Sequence, residues 1–161
     1  MTHQLIIIGA GPGGYEVGVK AAKAGLQVLV VEARKLGGTC LNEGCIPTKC
    51  LCKNASLLQE LKEANTFGIE AGEVQFDLSK AIARKDGIVE QLANGIATLM
   101  KTPGITLVQG KAKFVDQHTI EVEGTQYSAP NIIIATGSVT KFLPIEGAHG
   151  EGVVASTEML N

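Results

Sequence analysis

Cys40 and Cys45 fall within the run Gly37-Gly38-Thr39-Cys40-Leu41-Asn42-Glu43-Gly44-Cys45-Ile46-Pro47-Thr48-Lys49. Two thiols so close in sequence can do redox or nucleophilic chemistry, provided a fold keeps them near each other and near solvent. Turn formers precede them and helix formers follow, so they sit where a loop becomes a helix. A disulfide needs Cα atoms about 4.4–6.8 Å apart, whereas a step of that length along a regular helix rises ~7.5 Å. If the two pair, Cys40 should lie outside the regular helix, with Gly44 supplying the bend. Cys45 then opens the helix and Pro47 is tolerated in its first turn. A thiol at that start feels the positive end of the helix dipole, and Lys49 adds positive charge. Both favour the thiolate.

Cys50 and Cys52 follow closely. Cys50 could compete as a partner for Cys45, but both read as small buried residues on the helix. The spacings of the four cysteines fit neither zinc nor iron–sulfur patterns, so no metal site is expected.

The elements that must position this run begin with Gln4-Leu5-Ile6-Ile7-Ile8, an apolar stretch expected of a strand buried in a parallel sheet. Gly9-Ala10-Gly11-Pro12-Gly13-Gly14 follows, with Gly9, Gly11 and Gly14 in the spacing that cradles a pyrophosphate. A helix from Tyr15 to Ala24 is expected, with Val17, Ala21 and Ala24 on its apolar stripe. A second strand runs Leu26 to Val31 and ends at Glu32, a carboxylate placed to accept from a ribose 2′-hydroxyl and to repel a 2′-phosphate. This βαβ unit predicts dinucleotide binding. The glycines alone fit FAD or NAD, and the neighbouring thiols favour FAD.

After a helix from Cys45 to Ala64, with Leu51, Ala55 and Leu58 in one apolar row and Leu57 and Leu61 beside it, residues 65–75 read as loop with a short extended piece. Asp77 is expected to cap a long helix over Leu78 to Lys101 that covers the sheet. Leu78, Ile82, Val89, Leu92, Ile96 and Leu99 hold its helical spacing, and Gly87 and Gly95 imply close packing. A strand at Ile105–Val108 precedes a β-meander over Lys111–Val115, Thr119–Val122 and Gln126–Tyr127. A last buried strand, Asn131–Ala135, leads into Thr136-Gly137-Ser138. The fold class is α/β: a Rossmann-like FAD-binding fold, with a parallel sheet flanked by helices and a small antiparallel β-meander.

The cysteine run closely resembles the active-site signature of the flavin-dependent disulfide reductases, and within them the dihydrolipoyl dehydrogenases. The resemblance implies that Cys40 is the interchange thiol that attacks a substrate disulfide. It implies that Cys45 lies against the flavin, and that Lys49 sits near the flavin's reactive nitrogen. For FAD binding it implies Gly9, Gly11, Pro12, Gly13, Gly14, Glu32, Ala33, Gly38, Thr39, Cys40, Cys45, Lys49, Ala112, Ala135, Thr136 and Gly137. NAD is the implied co-substrate. The implied partners are a second copy of the subunit and the lipoyl-bearing subunit of a 2-oxoacid dehydrogenase or glycine cleavage complex. Related reductases for glutathione or mercuric ion, a non-catalytic FAD- or ADP-binding module and an NAD-dependent dehydrogenase are the alternatives. The resemblance covers residues 1–161 as one FAD-binding domain, without the family's NAD-binding and dimerisation domains. The chain alone is therefore expected not to turn over, and its sheet to leave one edge open.

Composition agrees with a globular domain. The 161 residues are 45% hydrophobic and 19% charged, with a formal net charge of −2 and no Trp. That balance gives no drive toward nucleic acid, and no apolar run reaches the ~20 residues of a membrane span. A cytoplasmic setting is the expectation. His3, His118 and His149 read as surface histidines.

Overall fold

The computed structural model describes residues 3–160; Met1, Thr2 and Asn161, at the ends of the expected domain, lie outside the described residues. Four strands make a parallel sheet: β1 (Leu5–Ile8), β2 (Val28–Glu32), β3 (Ile105–Gln109) and β7 (Asn131–Ile134), in the order β3-β2-β1-β7. The central pair β1 and β2 is buried on both faces, which explains its unbroken apolar sequence. Successive side chains alternate between two cores. Leu5, Ile7, Val28 and Val30 pack under helices with Val19, Ala22, Leu41, Ile96 and Met100. Ile6, Ile8, Leu29 and Val31 pack with Ile120, Val122 and Ala129 of the meander side. The meander is β4 (Ala112–Phe114), β5 (Thr119–Val122) and β6 (Thr125–Ser128), antiparallel throughout. Three layers result, with the sheet in the middle.

The helices are α1 (Pro12–Lys23), α2 (Gly38–Glu43), α3 (Cys45–Glu63), α4 (Leu78–Leu99) and α5 (Ser156–Leu160). Helix α1 starts earlier than its apolar spacing predicts, because Pro12 fits the first helical position. Its buried face is Gly14, Gly18, Val19 and Ala22, while Val17 and Ala24 are exposed. The helix lies so close to the sheet that a Cβ on Gly18 would come 3.2 Å from Val30, so the packing stripe follows the glycines and not the larger apolar residues. On α3, Leu51, Leu58 and Leu61 are half-buried, whereas Ala55 of the expected row and Leu57 beside it are exposed. Residues 64–67 form a 3-10 turn and the expected extended piece is absent up to Asp77. Asp77 caps α4 as expected, accepting from the Lys80 N–H. The buried face of α4 is Ala81, Lys85 and Ile96, and Leu78, Leu92 and Leu99 are exposed. Nothing lies within 4 Å of a Cβ placed on Gly87 or Gly95, so the expected close packing there does not occur. His3 is half-buried against Tyr127, with ring centroids 6.4 Å apart, while His118 and His149 are exposed. Among the described residues no helix is long and apolar enough to cross a membrane.

Candidate functional site

The C-terminal ends of all four parallel strands deliver loops to one cleft of about 650 Å³, within the ~300–1,000 Å³ of ordinary ligand sites. Its floor is the glycine turn. Gly9 has φ +105°, and a Cβ there would sit 2.3 Å from the Ala135 carbonyl oxygen; only glycine allows both the angle and the approach. A Cβ on Gly14 would sit 1.8 Å from the Gly9 carbonyl oxygen. Gly14 is therefore buried beneath the turn and outside the cleft lining, packing helix on strand. Among the described residues, the N–H groups of Gly11 and Gly13 have no protein acceptor, and both residues line the cleft. Two free donors at the start of a helix suit a phosphate.

At the far end of β2, Glu32 is buried and its carboxylate is already engaged. One oxygen accepts from the Ala10 N–H at 2.7 Å and the other from the Arg34 N–H at 2.8 Å. Each oxygen keeps a further lone pair for a ribose hydroxyl, so Glu32 both braces the glycine turn and lines the cleft.

The thiols stand on two helices joined at Gly44. Cys45 is the first residue of α3, as expected, with Pro47 in the first turn. Cys40 lies outside α3 but is itself helical, on the short α2. Gly44 makes the reversal possible, because a Cβ there would come 2.9 Å from the Thr39 carbonyl oxygen. Helix α2 is tied down at its start: Gly37 N–H donates to the Ala10 carbonyl at 2.9 Å, and Asn42 Nδ2 donates to the Leu36 and Gly38 carbonyls, each at 2.9 Å. A Cβ on Gly38 (φ +59°) would meet the Gly11 Cα at 2.8 Å, so the backbone before Cys40 rests on the glycine turn.

All four cysteines are free thiols. Cys40 lies beside Cys45, and the neighbouring Cys45 thiol as a hydrogen-bonding partner, then burial and the Cys45 charge, push the Cys40 pKa up; the Cys45 N–H and the Lys49 charge oppose this more weakly. The favoured thiolate expected at the helix start therefore does not extend to Cys40. Cys45 and Lys49 are exposed and lie outside the cleft lining, whereas Cys40 lines it. Cys50 is buried as expected; Cys52 is exposed, contrary to expectation, because it falls on the solvent side of α3.

The structure thus brings Gly9, Gly11, Pro12, Gly13, Glu32, Ala33, Gly38, Thr39, Cys40, Ala112, Ala135, Thr136 and Gly137 to one surface. Sequence reading missed Arg34, Lys35, Asn42, Glu43 and Lys111 on the same lining. The only signal for Arg34 and Glu43 is opposite charge on either side of the loop. Among the described residues, no group of three or more His, Cys, Asp or Glu is placed to hold a metal ion.

A family model described as pyridine nucleotide-disulphide oxidoreductase matches residues 3–161. The chain is 44% identical over 164 residues to a dihydrolipoyl dehydrogenase of Acholeplasma laidlawii, covering 99% of this chain and 49% of that protein. It is 46% identical over 160 residues to the dihydrolipoyl dehydrogenase of Thermus scotoductus, covering 99% of this chain and 34% of that protein. The HOCl-induced flavoprotein disulfide reductase RclA from Escherichia coli superposes with a TM-score of 0.78 at 34% identity, over 99% of this chain and 34% of that one. The chain spans about a third to a half of the length of these relatives.

Proposed function

Because the chain belongs to the pyridine nucleotide-disulphide oxidoreductase family, we propose that it carries the flavin cradle and redox dithiol of a dihydrolipoyl dehydrogenase. The observation that supports this most is the Cys40–Cys45 thiol contact at the rim of a glycine cradle with two free N–H donors. The family and the flavoprotein neighbour imply a flavin. The residues that fit FAD are Gly11 and Gly13 at the pyrophosphate, Glu32 at the ribose, and Gly38, Thr39 and Cys40 toward the reacting end. Bound FAD would supply the two-electron step between the dithiol and NAD⁺.

The chain's own residues perform the exchange with substrate. From the oxidised state, a dihydrolipoamide thiolate attacks the Cys40 sulfur of the Cys40–Cys45 disulfide, and Cys45 leaves as a thiolate. The second substrate thiolate then displaces Cys40 from the mixed disulfide and closes lipoamide. Two electrons have passed to the cysteine pair, and the two substrate protons go to the thiols and solvent. Lys49 places positive charge near Cys40 and so favours the departing thiolate.

The proposed setting is cytoplasmic. The proposed partners are a lipoyl-bearing subunit of a 2-oxoacid dehydrogenase or glycine cleavage complex and, in a protein of the relatives' length, a second copy. The E. coli likeness favours one alternative, a flavoprotein reductase for another disulfide.

Reconstituting the purified chain with FAD should give a protein-bound flavin spectrum, and peptide mapping should find a Cys40–Cys45 disulfide that mild reductant opens. In a protein of the relatives' length, Cys40→Ser should lower lipoamide-dependent NADH formation at least ~100-fold. Unchanged turnover would remove Cys40 from its role. Turnover with other disulfides but not lipoamide would favour the alternative.

A further inference from the structure

Glu43 is a carboxylate with a side chain only 10% exposed, placed on the wall of the cleft. Burying such a charge is costly unless it is paired. Among the described residues its one partner is Arg34, whose Nη2 donates to Oε1 at 2.5 Å. Arg34 is held in turn at its backbone: its N–H donates to Glu32 at 2.8 Å and its carbonyl accepts from Gln109 Nε2 at 2.8 Å. Glu32 also accepts from the Ala10 N–H. One continuous set of hydrogen bonds therefore runs from the glycine turn, through the ends of β2 and β3, to the last turn of α2. Cys40 lies on α2 one turn before Glu43.

We propose that the Arg34–Glu43 ion pair is the strut that fixes the redox helix against the nucleotide end of the cleft, making both side chains positioning residues for Cys40. The proposal rests on the dithiol reading above for its function, but its geometry is independent of any cofactor. Asn42 and Gly37 hold the start of α2, and the strut holds its end. Losing either side chain frees the last turn of α2 from the end of β2, and where Arg34 alone is lost the buried Glu43 carboxylate is also left unpaired; in both cases the turn carrying Cys40 is held less firmly. The Cys40 sulfur then spends less time in contact with Cys45, so the effective concentration of one thiol toward the other falls.

The test uses the whole chain without added flavin. The Cys40–Cys45 pair is equilibrated against reduced and oxidised glutathione, quenched by acid and alkylation, and quantified by peptide mapping, so that Cys50 and Cys52 do not contribute. FAD uptake is titrated separately by flavin fluorescence. Arg34→Ala and Glu43→Ala should each lower the equilibrium constant for disulfide formation about 10-fold, which is the fold-change for ~1.4 kcal/mol. The double variant should be no worse than either single, since both remove one contact. Arg34→Lys, which keeps the charge, should restore most of the loss, and it guards against a misfolded alanine variant. An unchanged equilibrium in both single variants, or losses that simply add in the double, would overturn the strut. Wild-type chain that takes up no FAD while the variants show the coupled loss would sink the flavin reading and leave the strut standing.

Discussion

The Cys40 pKa is raised above that of an ordinary cysteine, chiefly by the hydrogen-bonding influence of the neighbouring Cys45 thiol and then by burial. Alkylation follows the thiolate, so the pH profile of Cys40 labelling by iodoacetamide should have its midpoint above that of an ordinary thiol. Cys45→Ala removes the leading cause and should move the midpoint down. Lys49→Gln removes an opposing charge and should move it up. Mass mapping of Cys40 peptides across pH checks both signs, and a midpoint that ignores Cys45→Ala would mean that burial alone sets it. At this scale the sequence was readable where a residue type at a fixed spacing sets position: Gly9, Gly11, Gly13, Glu32 and Cys40 all gather at the cleft, while Gly14 and Cys45 lie outside its lining. It was not readable for Arg34 and Glu43. Their pairing depends on α2 folding as a helix, and six residues between two glycines carry no apolar period that announces one. Cys52 was misjudged for a related reason: smallness does not say which side of a helix a residue takes.

The helices show how far amphipathic spacing can be trusted. Cap chemistry succeeded, since Asp77 opens α4. Its carboxyl pKa is lowered by the Ser79 hydroxyl first and then the Lys80 N–H. A lowered folded pKa contributes stability above the unfolded value, lost as pH falls through the folded one, so Asp77→Ala should matter at neutral pH and little in strong acid. Apolar spacing was less reliable. Val17 and Leu92 look like core residues but are exposed; for Val17 the reason is that α1 is drawn to the sheet through Gly14 and Gly18. Glycines can therefore be sorted by test. Gly14→Ala puts a Cβ into the Gly9 carbonyl and should destabilise by about 1–3 kcal/mol with loss of flavin uptake. Gly95→Ala meets open space and should stabilise by about 0.5–1 kcal/mol. Urea unfolding of the two variants, read alongside flavin titration, measures both. Equal effects would refute the division into packing and spare glycines.

For the molecule as a whole, the layered α/β arrangement was legible because β1 and β2 are too apolar to face water on either side and a βαβ unit admits few topologies. The path after β7 was not, since residues 135–155 carry no regular pattern and form no regular element. That segment is anchored beyond its end, where the buried Lys85 of α4 donates to the Leu160 carbonyl at 2.7 Å and pairs with Asp86 at 2.9 Å. Lys85→Met removes a charged hydrogen bond of about 1.5–3 kcal/mol. Amide hydrogen exchange should then quicken in 156–160 and in the segment before it, while β1 and β2 stay protected. Protection unchanged in 156–160 would show that α5 is held by other contacts. The seam between Gly9 and Ala135 has a temporal side. Ala135 N–H donates to the Ile8 carbonyl at 2.8 Å, joining a residue made early in this stretch of chain to one that emerges from the ribosome much later in it. Until that late strand docks, the turn at Gly9 has no wall to close against, so a nascent chain should capture its cofactor only near the end of this stretch of synthesis.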